Sequence, residues 1–181
     1  LMNYLYQRQE LPDWLIQEGY RIDAAVDSLP IMLAKGSRCD SAKVALEIAN
    51  KRNAARGYCA TKNVYYHGLK AHALNIIVPD SLPKMLQLVF TEASAQDNTV
   101  YKEQIAPYCP NNLNVHADRI YHDEKAAKNL LYYYDIQMSP IQKRKRGQTE
   151  LDAAQKLMNK VFSSVRQPIE SFFQWIIEKT D

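Results

Sequence analysis

The order of apolar, turn-forming and helical segments predicts an α/β fold: a mixed sheet flanked by helices. Three observations lead there. Residues 22–28 alternate Ile22, Ala24 and Val26 with Asp23, Ala25 and Asp27, the period-two pattern of a strand. Two β-rich runs, 64–77 and 85–91, flank the turn-forming Pro79-Asp80-Ser81 and read as a hairpin. Short strand-like runs then alternate with helical ones, an order that suits a sheet with both antiparallel and parallel pairs.

Taken in chain order, residues 3–18 place Tyr4, Leu5, Leu11, Leu15 and Ile16 at roughly helical spacing ahead of Gly19, a C-cap residue. Pro12 belongs in a first turn or divides this segment. The chain thus divides into a helical lead-in, residues 1–19, and one domain over 20–181. The first strand is expected to stop at Pro30. A basic insert follows, about 36–62, in which residues 38–62 hold six Lys/Arg against two acids. Within it 41–53 has helical character, and Gly57 breaks the pattern. Beyond the hairpin, a helix over 98–105 stops before Pro107, a short strand covers 113–117, and a helix covers about 123–133. Residues 136–141 form one more strand, where Pro140 favours an edge position or an early stop. From Leu151 onward the chain is helical, and Pro168 implies a helix that begins near Ser163 or Ser164 or is kinked there.

With 181 residues, 46% hydrophobic and 24% charged, the chain can bury one substantial core and is not of disordered composition. No apolar run reaches the roughly 18–20 residues of a membrane span, and no basic-then-apolar secretory leader opens the sequence. A leucine at position 1 suggests a piece of a longer protein. The net charge of +3 is too small to identify a partner, but Lys143-Arg144-Lys145-Arg146 is an unbroken basic run. Cys39, Cys59 and Cys109 are odd in number and widely spaced, which reads as free thiols in a reducing compartment.

Two acids end apolar strands: Asp27 after Val26, and Asp118 after Val115-His116-Ala117. Either alone reads as a surface turn carboxylate. Together they mean more if their strands are parallel neighbours, because both then emerge at the same sheet end, where open α/β sheets bind ligands. The third acid is Glu170, on the border of a helical stripe formed by Leu157, Val161, Val165, Ile169, Phe172 and Ile176. It also reads as an ordinary surface partner of Arg166 four residues earlier. Three such carboxylates suit phosphodiester chemistry. Two divalent ions about 3.5–4 Å apart stabilise the attacking and leaving oxygens, and hard Mg²⁺ prefers carboxylate ligands. Without metal the three would repel one another.

Four blocks in order carry a family resemblance. They are Val26-Asp27-Ser28-Leu29-Pro30-Ile31; Arg56-Gly57-Tyr58-Cys59-Ala60-Thr61-Lys62 with Tyr65-Tyr66-His67-Gly68-Leu69-Lys70; Ala117-Asp118-Arg119-Ile120-Tyr121; and Arg166-Gln167-Pro168-Ile169-Glu170-Ser171-Phe172-Phe173. From about residue 22 onward the chain resembles the insertion-sequence DDE transposases. The resemblance implies an RNase H-like fold and a metal-dependent polynucleotidyl transferase. In it Asp27, Asp118 and Glu170 hold Mg²⁺ (or Mn²⁺) in a two-metal site. It further implies DNA contacts by Arg166, Lys62, Lys70, Lys143, Arg144, Lys145 and Arg146, with Arg166 also able to orient Glu170. The implied partners are DNA, both element ends and target, and a second copy in a homodimer. The implied setting is a bacterial cytoplasm beside the nucleoid, away from membranes. The alternative of a different class is a catalytically impaired remnant acting only as a DNA-binding module. Some relatives carry a tyrosine where this chain has Ser163 and a lysine where it has Ile177.

Other residues read more plainly. His67 and His72 lie an odd number apart in a strand and face opposite sides, so they do not pair on a metal. Asp97, near a family position where a histidine–aspartate pair is frequent, is expected as a helix N-cap. Tyr132-Tyr133-Tyr134 is expected to pack at a helix end.

Overall fold

Strand β1 (Ile22–Lys35) is the axis of the sheet; the others are β2 (Ala55–Cys59), β3 (Val64–Ile76), β4 (Lys84–Glu92), β5 (Leu113–Ala117) and β6 (Ile136–Pro140). The computed structural model describes residues 20–35, 37, 54–59, 62–144 and 146–180. The helical expectations for 1–19 and 41–53, together with Cys39 and Lys145, lie outside the described residues. The sheet order is β2-β3-β1-β5-β6, with β4 also paired to β3. β1 and β3 are antiparallel, whereas β5 runs parallel to both β1 and β6. The mixed sheet expected from the segment order is therefore present.

β2 and β4 share the outer edge of β3. Residues 64–68 of β3 pair with β2 and residues 69–76 with β4. Gly57 was expected to break the pattern, yet it lies inside strand β2. Its place in a strand has a steric reason: a Cβ there would lie 2.7 Å from Ala93 Cβ and 2.9 Å from Tyr66 Cζ. The β3–β4 hairpin forms as expected, with Asp80 at φ 55 in its connection.

β1 does not stop at Pro30. It pairs with β5 only from Ile22 to Val26 and continues along β3 to Lys35. Past Val26 no described strand pairs with the edge that faced β5, and an unpaired edge tolerates a residue that lacks an N–H. β6 ends at Pro140 on the far edge, as its proline implied.

Among the described residues the α-helices are α1 (Asp97–Val100), which runs on into a π turn and a 3-10 turn ending at Tyr108; α2 (Glu124–Tyr134); and α3 (Ala153–Thr180). Asp123 caps α2 by accepting from Ala126 N at 3.0 Å, and Asp135 closes it in the left-handed conformation. On one sheet face Val26, Leu74, Ile76, Val115 and Ile136 pack against Tyr101, Ile105 and Leu130. On the other, Ile169, Phe172 and Phe173 of α3 close over Ala25 and Ala73.

α3 is one helix with Pro168 inside it, so it does not begin near Ser163. A proline in a helix interior costs about 3 kcal/mol. Burying Ile169, Phe172 and Phe173 just beyond it contributes roughly 1.5–3 kcal/mol apiece and offsets that. The expected apolar stripe is buried only in this second half, since Leu157 and Val161 are exposed.

Candidate active site

β1 and β5 are parallel neighbours, and their last paired residues are Val26 and Ala117. Asp27 and Asp118 are the next residues: Asp27 stays in β1 opposite Ala73 and Asp118 follows the end of β5, so their backbones lie side by side where the β1–β5 pairing stops. Asp118 then caps the 3-10 turn Arg119–Tyr121, its Oδ1 accepting from Arg119 N at 2.6 Å. Asp27 Oδ1 accepts from Ser28 N at 2.9 Å. Burial pushes the Asp27 carboxyl up to about 6 even though the Arg166 guanidinium pulls it down, and the charges of Asp118 and Asp97 add to the rise. The phenol of Tyr121 is held well above 10, first by burial and then by the charges of Asp97, Asp27 and Asp118. These acids act on one another electrostatically.

Glu170 joins through an arginine. Arg166 Nη1 donates to Asp27 Oδ2 at 2.6 Å, and Arg166 Nη2 donates to Glu170 Oε1 at 2.7 Å. The surface i,i+4 pair anticipated from spacing is real, but the same guanidinium also neutralises the buried acid on β1. Its position follows from α3, which is seated on Ala25 and Ala73 by Ile169 and Phe172. Further along, a polar row locks β1, β5 and β6 together beneath this helix. His116 Nε2 meets Asp23 Oδ1 at 2.8 Å, Asn114 Nδ2 donates to Asp23 Oδ1 at 2.7 Å, and Ser139 Oγ donates to Asn114 Oδ1 at 2.7 Å. The His116 ring meets Phe162 edge-on at 5.6 Å, which ties α3 to the row.

Asp97 is not the N-cap expected of it. Gln96 holds that position, and Asp97 is the buried first residue of α1. Its Oδ1 accepts from Lys70 Nζ at 2.9 Å and lies 3.5 Å from His72 Nδ1. Lys70 also donates to Ala95 O, so its ammonium is held inside the fold beside the acids. His72 is fully buried against Thr91 Oγ1, and burial draws its imidazole down to about 4, which keeps it neutral.

Part of the basic run faces Arg119, the residue after Asp118. Lys143 and Arg144 line an open concavity of about 670 Å³ together with Arg119, Lys156 and Asn159. Arg144 Nη1 donates to Thr149 O, Lys156 pairs with Glu150, and Arg146 is exposed. Arg119 and Lys156 carried no sequence signal, since one follows an acid in a turn and the other sits on an amphipathic helix. Lys62 is exposed in the turn before β3. Tyr134 packs against the core as expected, whereas Tyr132 and Tyr133 are exposed and meet edge to face at 4.9 Å, at the sheet end opposite Asp118, next to the Arg21–Asp135 ion pair that closes the start of β1. Cys59 and Cys109 are free thiols.

Among the described residues, no group of three or more His, Cys, Asp and Glu side chains is gathered to hold a metal ion. The donor chemistry still fits one. Asp27 and Asp118 offer hard oxygens from adjacent backbone positions, and Glu170 shares the Arg166 guanidinium with Asp27. Among the described residues, no helix is long and apolar enough to cross a membrane.

A central strand with an antiparallel hairpin on one side and parallel strands on the other, acids at the adjacent parallel ends, and a long helix laid across them define an RNase H-like domain. A family model described as the transposase DDE domain matches residues 23–179, and the chain belongs to that family. No curated protein and no solved structure matched the chain.

Proposed function

We propose that this domain cleaves phosphodiester bonds at insertion-sequence ends and transfers the freed strands, with Asp27, Asp118 and Glu170 as ligands for two Mg²⁺ or Mn²⁺ ions. The observation that supports this reading is the β1–β5 register, whose last pair is Val26 and Ala117, the residues just before Asp27 and Asp118. Bound divalent ions would supply an activated attacking oxygen and charge stabilisation for the leaving one. The chain's own residues do the rest. Asp27 and Asp118 hold the reacting phosphate's counter-charge at the sheet end. Glu170 approaches from α3, and Arg166 keeps it near Asp27 until it exchanges carboxylate oxygens for a DNA phosphate. Lys143, Arg144, Lys145 and Arg146, with Arg119 and Lys156, grip the backbone beside Asp118, and Lys62 extends the basic surface. Lys70 acts at one remove, by holding Asp97. The partners are element ends, target DNA and a second copy of the chain, in a nucleoid-associated setting.

The separation of Glu170 from the two aspartates by Arg166 favours a second reading, a DNA-binding module that does not cut. Nicking of a supercoiled plasmid separates the two. The expected result is nicking in Mg²⁺ or Mn²⁺ but not in Ca²⁺, abolished singly by Asp27→Asn, Asp118→Asn and Glu170→Gln while DNA binding persists. DNA binding without nicking under every metal would select the second reading.

A further inference from the structure

We propose that Tyr58, Tyr65 and Arg56 form a stacking platform for an unpaired DNA nucleotide beside the acidic site, an inference that rests on the DNA-processing reading. Tyr58 and Tyr65 are direct cross-strand partners on β2 and β3. Their ring centroids lie 5.0 Å apart at an interplanar angle of 51°, so the rings form a V instead of closing on each other. Arg56 Cζ lies 4.5 Å from the Tyr65 centroid and adds a planar cation to the same group. The V is held in place at one end, where Tyr58 Oη donates to Asn63 Oδ1 at 2.7 Å.

Packing does not account for this arrangement. Tyr66, the next residue on β3, is 1% exposed and fills the interior against Cys59 and Ala93, whereas Tyr58 and Tyr65 remain 49% and 54% exposed. The two rings border a concavity of about 700 Å³ that also touches Arg56, Lys70, Asp97 and Ile120. Ile120 is two positions past Asp118, so the concavity runs from the aromatic pair toward the acids.

The occupant follows from the chemistry of the walls. Tyrosine faces and a guanidinium plane stack on a flat aromatic ligand, and the cationic edge favours one that carries a phosphate. Inside a duplex the base faces are covered by their neighbours, and only an unpaired nucleotide offers one. Stacking of this kind reads any base, so the platform holds a frayed or displaced strand without selecting its sequence.

The test measures affinity of the full chain for two fluorescent probes, a short single-stranded oligonucleotide carrying 2-aminopurine and a blunt duplex of the same sequence. The variants are Tyr58→Leu with Tyr65→Leu, and Tyr65→Trp. The expected result is single-strand affinity reduced by about tenfold or more in the leucine double variant, with duplex affinity unchanged and single-strand affinity retained in Tyr65→Trp. The parent chain should also change 2-aminopurine fluorescence, and the double variant should not. Equal loss on both probes, or no loss on either, would overturn the platform while leaving the DNA reading standing. Failure of the parent chain to bind either probe would overturn both.

Discussion

Arg166 reaches from the middle of α3 to Asp27 on β1, 139 positions earlier, and donates Nη1 to Oδ2 at 2.6 Å while its other terminal nitrogen holds Glu170. One guanidinium thus serves as counter-ion to two of the three acids assigned to metal. Its side chain is 15% exposed and that of Asp27 is 24% exposed, so this pair is shielded from water far better than a surface ion pair.

Removing one partner of such a pair leaves an uncompensated buried charge. Arg166→Ala is expected to lower unfolding free energy at neutral pH by a few kcal/mol, measured by denaturant titration. Part of the loss should return near pH 5, where the stranded Asp27 takes up a proton. In combination with Asp27→Asn, the arginine truncation should cost much less than alone, a coupling that a double-mutant cycle reads directly.

Asp27 also sets a pH dependence. Its carboxyl titrates at about 6 in the fold against about 4 in an unfolded chain. Between those values the native state holds the proton that the unfolded state has lost, so stability from this group is full below pH 4 and falls as pH rises through 6. The ionised acid therefore burdens the metal-free fold by on the order of 2–3 kcal/mol above pH 7. Asp27→Asn in EDTA should melt higher than the parent at pH 8, with the gap closing toward pH 4. A variant that melts lower throughout would mean that the Arg166 attraction outweighs the burial.

The seating of α3 on the sheet can be tested apart from charge. Ile169 is fully buried between Ala25 and Ala73 in the layer beneath Glu170. Ile169→Ala is expected to cost about 2–5 kcal/mol, and it should weaken metal binding as well, because α3 then no longer holds Glu170 in place. Leu157→Ala, at an exposed position of the same helix, should change stability by less than about 0.5 kcal/mol.

The basic run makes a salt prediction. If it and its neighbours neutralise about four phosphates, log affinity for duplex DNA falls against log salt with a slope of about −3.6. Replacing residues 143–146 with alanine should flatten that slope strongly. A footprint on one particular sequence that survives at physiological salt would show base reading in place of backbone contact.

Much of this architecture was legible because it is local. Residues 113–117 form a strand whose ending acid is visible in the sequence, and the hairpin turn announces itself through residue type. What escaped depends on neighbours. Pro30 ends a strand in isolation but not where β3 supports one edge and no described strand pairs with the other. Gly57 reads as a breaker until Ala93 and Tyr66 are seen to require it. Pro168 reads as a helix start until Ile169, Phe172 and Phe173 are found anchored just beyond it. The three acids could be listed from their blocks, but the Arg166–Asp27 pair and the Lys70–Asp97 pair link distant segments and leave no periodic trace.

Mn²⁺ binding, followed by the loss of the free-ion electron paramagnetic resonance signal, tests the three-carboxylate centre most directly and needs no catalysis. The parent chain is expected to bind Mn²⁺, with Arg166 giving up Asp27 and Glu170. Asp27→Asn, Asp118→Asn and Glu170→Gln should each weaken binding by at least about tenfold while remaining folded by circular dichroism. Parent-like Mn²⁺ affinity in all three variants would contradict the assignment and place any metal elsewhere.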